Sequence, residues 1–126
     1  MFFDTEFIIA LSRGESSKAR QHAERFLEEK TPRALYASRI CWAEVAEGYA
    51  TLTGAQIALR HFGIVEIDEA IAWQASRLGR DLKGKGHHIG DNDIWIAATA
   101  LAHGLPLVSN NAKHMGRIKG LELLEY

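Results

Sequence analysis

The feature that most constrains this chain is an alternation. Short apolar runs that read as strands are separated, from one end to the other, by stretches of helical periodicity. Residues 1–3 are apolar and stop at Asp4. Residues 5–11 read as a short helix that ends near Gly14, and Ser16 precedes a charged amphipathic helix over residues 17–30. Pro32 breaks that helix before a strand at 35–37. Ser38 is placed to cap a helix over 40–50, and Thr53 with Gln56 has capping-box spacing for another that ends near Gly63. A strand at 64–67 leads to Asp68, which caps a long helix to about residue 83, with Ile71, Ala75, Leu78 and Leu82 along one face. After a loop at 84–90 come a helix over 94–103, a strand at 105–108 and a last strand at 121–124.

Such alternation predicts an α/β fold, a mainly parallel central sheet flanked by helices. A chain of 126 residues with 47% apolar and 25% charged residues is read as one globular domain over 1–126. The opening MFFDTEF carries an acid and no basic leader, so it is not read as a secretory signal, and no apolar run is long enough to span a bilayer. Cys41 is the single cysteine, which rules out an internal disulfide and fits a cytoplasmic protein. Net charge is −1, from 15 Lys and Arg against 16 Asp and Glu, without the basic surplus usual in nucleic-acid binders. Contact with nucleic acid would therefore depend on a local patch, a metal or a partner.

In parallel α/β sheets, sites lie outside the carboxyl ends of the strands. Asp4 directly follows the first strand, and Ser109 to Asn111 follow a later one. Glu44 lies about a turn into the helix after the second strand, and Asp91 and Asp93 open a helix. Each acid has an ordinary reading. Asp4 can be an N-cap, and acids in a first turn complement the helix dipole. Glu44 can face solvent beside Glu47, a like-charged pair on one face. Two aspartates at one helix start nonetheless exceed the need for a cap. Acids from separate segments gathered at one sheet edge would repel one another unless a hard divalent cation joined them. Mg²⁺ and Mn²⁺ accept such oxygen ligands. The chemistry that suits them is phosphodiester hydrolysis. Zinc spacing, a P-loop and a nucleophile elbow are all absent from the sequence.

The residues resemble a PIN domain of the VapC ribonuclease toxin type. "FFDTEFIIALSRGE" is similar to the family's opening strand, Asp-Thr and apolar helix. "EVAEG" matches its Glu with Gly four residues on, and "NDIWIAATALAHGLPLVSNN" its Asp-x-x-Ile-Ala-Ala helix and following strand and polar turn. The resemblance implies a metal-dependent endoribonuclease with Asp4, Glu44 and Asp93 as catalytic acids, Asp4 and Asp93 holding Mg²⁺ or Mn²⁺. It implies supporting roles for Ser109 and Asn111, leaves Asp91 as an outer acid or the helix cap, and implies an RNA substrate, a cognate antitoxin and a homodimer. Residues 40–49, or Phe26 and Leu27, are the candidate dimer surfaces. Glu6 and His114 depart from the pattern; His114 stands where relatives carry an acid, and reads either as a phosphate-binding group or as a surface histidine. Three acids imply one metal ion rather than two.

Basic residues flank the acids: Arg77, Arg80, Lys83 and Lys85 before them, Lys113, Arg117 and Lys119 after. Their default role is a solvated surface; Arg80, Lys83, Lys85, Lys113 and Arg117 are the candidate rim for an RNA backbone. Trp42, Trp73 and Trp95 are expected in the core. Two rival functions fit parts of the pattern. One is a haloacid-dehalogenase-like phosphatase, which requires a second Asp where Glu6 stands. The other is a PIN domain that binds without catalysis.

Overall fold

The computed structural model describes residues 1–126. Its centre is an all-parallel sheet of five short strands: β1 (Phe2–Phe3), β2 (Tyr36–Ser38), β3 (Gly63–Val65), β4 (Leu107–Val108) and β5 (Leu123–Leu124). The spatial order is β3-β2-β1-β4-β5. The chain starts in the middle, winds outward to β3, then returns to the other side of β1. The winding direction therefore reverses between β1 and β4, which opens a crevice beyond their carboxyl ends.

Seven helices connect the strands: α1 (Thr5–Leu11), α2 (Lys18–Lys30), α3 (Arg39–Ala46), α4 (Leu52–Ala58), α5 (Glu69–Gly84), α6 (Asp91–Ala102) and α7 (Ala112–Met115). None is long and apolar enough to cross a membrane. Most starts are fixed by side chains. Asp4, Ser17, Ser38, Thr51 and Asp68 each accept a hydrogen bond from a backbone N–H three residues on, the N-cap arrangement. The core is aromatic on one side. The Phe3 and Phe7 rings are 4.5 Å apart, and Phe26 meets both edge-on. On the other side Ala97, Ala98 and Ala100 are wholly buried in α6, and their small side chains let that helix lie close.

The structure moves several boundaries. Thr51, not Thr53, caps α4. Helix α3 stops at Ala46 rather than at 50, because Gly48 and a tight turn follow. The second strand runs to Ser38, in register with β3, and the outer strands are shorter than expected. Helix α6 begins three residues early, at Asp91, with Gly90 as its cap and no capping side chain. Asp91 is thus not the cap. Trp73 is 62% exposed rather than in the core; it lies on the α5 face opposite the apolar stripe, with the Arg77 guanidinium 4.2 Å from its ring. Phe26 is buried and cannot form part of a dimer surface.

Candidate functional site

Strand β1 delivers Asp4 and β4 delivers Ser109 to the two sides of the crevice. The Asp4 amide donates to the Val108 carbonyl (3.1 Å), so the two junctions are locked together. Both side chains are buried, Asp4 at 6% exposure and Ser109 fully. Asp4 Oδ1 accepts from the Phe7 amide at 3.0 Å, and Ser109 Oγ accepts from the Asn111 amide at 3.1 Å. Burial pushes the Asp4 carboxyl above its ordinary range. The Ser109 hydroxyl and the Phe7 amide oppose that shift; the charges of Glu6 and Asp93 add to it.

The ion pairs of the molecule join Arg20 to Glu24, Arg39 to Glu66, Lys85 to Asp81, and His114 to Asp93. Neither Asp4 nor Glu44 has a cationic side chain as partner. A buried carboxylate without a counter-charge is costly. Oxygen donors around it are the chemistry of a hard divalent cation.

Glu44 is half-buried on α3, and its Oε1 accepts a 2.7 Å hydrogen bond from the Thr5 hydroxyl of α1. It is thereby turned toward the residue next to Asp4, while Glu47 is exposed. Across the crevice, Asp93 Oδ2 lies 3.1 Å from His114 Nδ1 and 3.4 Å from Asn111 Nδ2. His114 is 34% exposed at its side chain and lies against Asp93 rather than on the open surface. It gets there because α7 turns the chain back over the start of α6. Asp91 is exposed and borders a separate depression between α5 and α6, beside Lys83 and Trp95. With their side chains as they stand, no three acidic, His or Cys groups are placed to hold a single ion.

Sequence reasoning did not single out two contributors. Thr5 orients Glu44, and the Asp-Thr pair was its only signal. Tyr126 packs edge-on against Phe7 at 4.8 Å, and Asn110 holds both its backbone groups at 2.8 Å. Burial and the charges of Asp4 and Glu6 push its phenol upward. No local pattern marks such a residue. Of the basic rim, Arg80, Lys83 and Lys85 are exposed at the end of α5, where Lys85 pairs with Asp81 at 3.0 Å. Lys113 is exposed on α7, and Arg117 ties that segment to the loop before α6 by a 3.3 Å bond to the His88 carbonyl.

A doubly wound parallel sheet with a buried acid at its switch point defines a class, and comparison with known proteins agrees. Residues 1–121 match the model of the PIN domain family. The chain belongs to that family. It is 43% identical over 65 residues to Ribonuclease VapC1 of Methanocaldococcus jannaschii, a match that spans about half of each protein (52% of this chain, 48% of the relative). It is 29% identical to Ribonuclease VapC1 of Rickettsia felis over 98% of this chain and 94% of that one. Among solved structures it superposes on a chain of a toxin–antitoxin complex from Klebsiella pneumoniae with a TM-score of 0.74 and 32% identity, over 95% and 93% of the two chains.

Proposed function

We propose that this protein is a metal-dependent endoribonuclease, the toxin of a toxin–antitoxin pair. The observation that carries this reading is Asp4, a buried carboxylate at the switch point of the sheet with Asp93 across the crevice and no cationic side chain to balance it. Asp4 and Asp93 would hold Mg²⁺ or Mn²⁺. The bound ion supplies an activated water and neutralises charge on the phosphate. Glu44, held by Thr5, would take a proton from the attacking water. Ser109 and Asn111 fix the loop that carries the second side of the crevice. Lys113, Arg117 and the exposed cations at the end of α5 grip the RNA backbone, a contact made by charge rather than sequence. The relatives named ribonucleases support this reading.

The same reading gives the chain an antitoxin partner, since its structural relative from Klebsiella pneumoniae is a toxin–antitoxin complex. It also places the protein in the cytoplasm, where its RNA would be, and makes it a homodimer through the α3 face.

The test is cleavage of RNA by purified protein. Cleavage should require Mg²⁺ or Mn²⁺, stop with EDTA and return when the ion is restored. Cleavage that persists in EDTA through repeated purification would overturn the proposal. Hydrolysis of small phosphate esters in place of RNA would favour the phosphatase reading instead.

A further inference from the structure

Trp73 is 62% exposed on the outer face of α5, and cations follow it along that face. Arg77 and Arg80, both exposed, stand four and seven residues on, the spacing of one helix face. From Trp73 to Arg80 the strip is roughly 10 Å long, two helical turns. Lys83 carries it to the first turn of α6, where it borders Asp91. Between residues 77 and 85 four cations stand against one acid, Asp81, which Lys85 already holds at 3.0 Å. Arg77, Arg80 and Lys83 have no acidic partner. In a chain of net charge −1 this is a local surplus.

The Trp73 ring is held in place. The Arg77 guanidinium lies 4.2 Å from the ring centroid, and Arg77 Nε donates to Ser76 Oγ at 3.3 Å. One face of the indole is covered and its exposure leaves the other open. The depression of about 460 Å³ on the same side of α5 is lined by Arg77, Arg80, Asp81, Gly84 and Lys85, with no apolar side chain. An apolar partner surface would meet one ring among charges. Single-stranded nucleic acid matches both parts of the strip, with a flat base for the open ring face and phosphates for the unpaired cations. A duplex offers the phosphates only, because its bases are stacked inside.

We infer that the outer face of α5 is a binding site for an unpaired stretch of RNA: a base stacks on Trp73, and Arg77 and Arg80 hold the adjoining phosphates. The inference rests on the reading of the chain as a ribonuclease. It deepens that reading by naming the part of the substrate held outside the crevice, a single-stranded flank of the cleaved bond.

The experiment measures binding of the full chain in EDTA, where cleavage is not required, with a single-stranded oligouridine and an RNA duplex of equal length as probes. The wild-type chain should prefer the single strand, and its tryptophan fluorescence should be quenched on binding. Trp73→Ala should lose that quenching and weaken single-strand binding by about tenfold, within the cost of losing one base–aromatic stack. Trp73→Phe should restore most of the affinity. Arg80→Gln should keep the quenching and reduce the slope of log affinity against log salt by about 0.7, the value of one phosphate contact on a single strand. Unchanged affinity in Trp73→Ala, equal binding of duplex and single strand, or no binding of RNA by the wild-type chain would each overturn the inference. Self-association of the wild-type chain that Trp73→Ala abolishes would also overturn it and assign this face to a second copy. Metal-dependent cleavage alongside any of these results leaves the ribonuclease reading standing; Trp73-dependent binding without cleavage under any divalent ion removes that reading and leaves the RNA-binding face.

Discussion

The Thr5 hydroxyl donates a 2.7 Å hydrogen bond to Glu44 Oε1, joining α1 to α3 one residue beyond Asp4. The bond sets the direction of a carboxylate that no ion pair holds. Thr5→Val keeps the shape and removes the donor. It should cost about 1 kcal/mol of stability, in the range of a single hydrogen bond. It should also lower RNA cleavage by about tenfold, short of the roughly 10²–10⁴-fold contributed by a positioned proton-transfer group, because Glu44 itself remains. Glu44→Gln should reduce cleavage further. Urea unfolding and single-turnover cleavage measure the two effects, and a Thr5→Val protein as active as wild type would show that Glu44 needs no holding.

Asp4 gives a prediction in pH. Its folded-state pKa is raised above the ordinary 3.8, chiefly by burial. The folded chain therefore holds this proton more tightly than the unfolded chain does. Ionised Asp4 destabilises the fold, and the penalty is absent below about pH 3.8 and grows as pH rises through the folded value. Asp4→Asn removes the charge and still caps α1. In EDTA at neutral pH it should raise the Tm, with the difference shrinking as pH falls toward 3.8. Adding Mn²⁺ should raise the wild-type Tm and leave Asp4→Asn unmoved. Thermal scans across pH, with and without the ion, check both.

Cys41 should be inert in the folded protein. It is wholly buried, and burial pushes its thiol up to about 11. At pH 8 about one thiol in a thousand is then ionised, and it is the thiolate that reacts. Ellman's reagent should label Cys41 in guanidinium and not in native buffer. Rapid native labelling would mean that α3 opens readily from the sheet.

Some helix starts with side-chain signals were legible in the sequence, though the cap of α4 is Thr51 where the spacing implied Thr53. Ser38 and Asp68 cap as their positions imply, because a short polar side chain before an apolar periodic run has few other uses. The parallel sheet was legible from the alternation alone. Other features were not. Gly90 caps α6 without a side chain, so only the two aspartates of its first turn, and no capping residue, marked the start of that helix. Trp73 lies two residues from both Ile71 and Ala75, on the opposite face of α5, but its size and apolar character outweighed that spacing in the sequence, although large apolar residues are often exposed. His114 joins Asp93 only through the fold of α7, across 21 residues of sequence. The acids were legible as candidates; the contacts that orient them, from Thr5, Asn111 and His114, are long-range and needed the fold.

Trp73 can now be used as a control. It is 62% exposed and touches Arg77. Trp73→Ala should cost under about 1 kcal/mol, as surface changes do, while Phe7→Ala, wholly buried against Phe3 and Phe26, should cost about 3–5 kcal/mol. Chemical denaturation of the two variants measures this. A large loss at Trp73 would mean that the wild-type chain covers this face, as by pairing with a second copy.

The sharpest contrast in the site lies between Asp93 and Asp91. They share the first turn of α6, and both complement its dipole. Their side chains diverge. Asp93 turns to Asn111 and His114 at the crevice, while Asp91 borders the depression beside Lys83. Asp93→Asn keeps the size and removes a charge aimed at the ion; it should abolish RNA cleavage and growth inhibition. Asp91→Asn removes a dipole contact worth about 0.3–1 kcal/mol, and because the cap is Gly90 it disturbs no capping bond. It should keep most of the activity. Both variants should remain folded by circular dichroism. An inactive Asp91→Asn beside an active Asp93→Asn would reverse the assignment and move the centre of the site from the β1–β4 crevice toward α5.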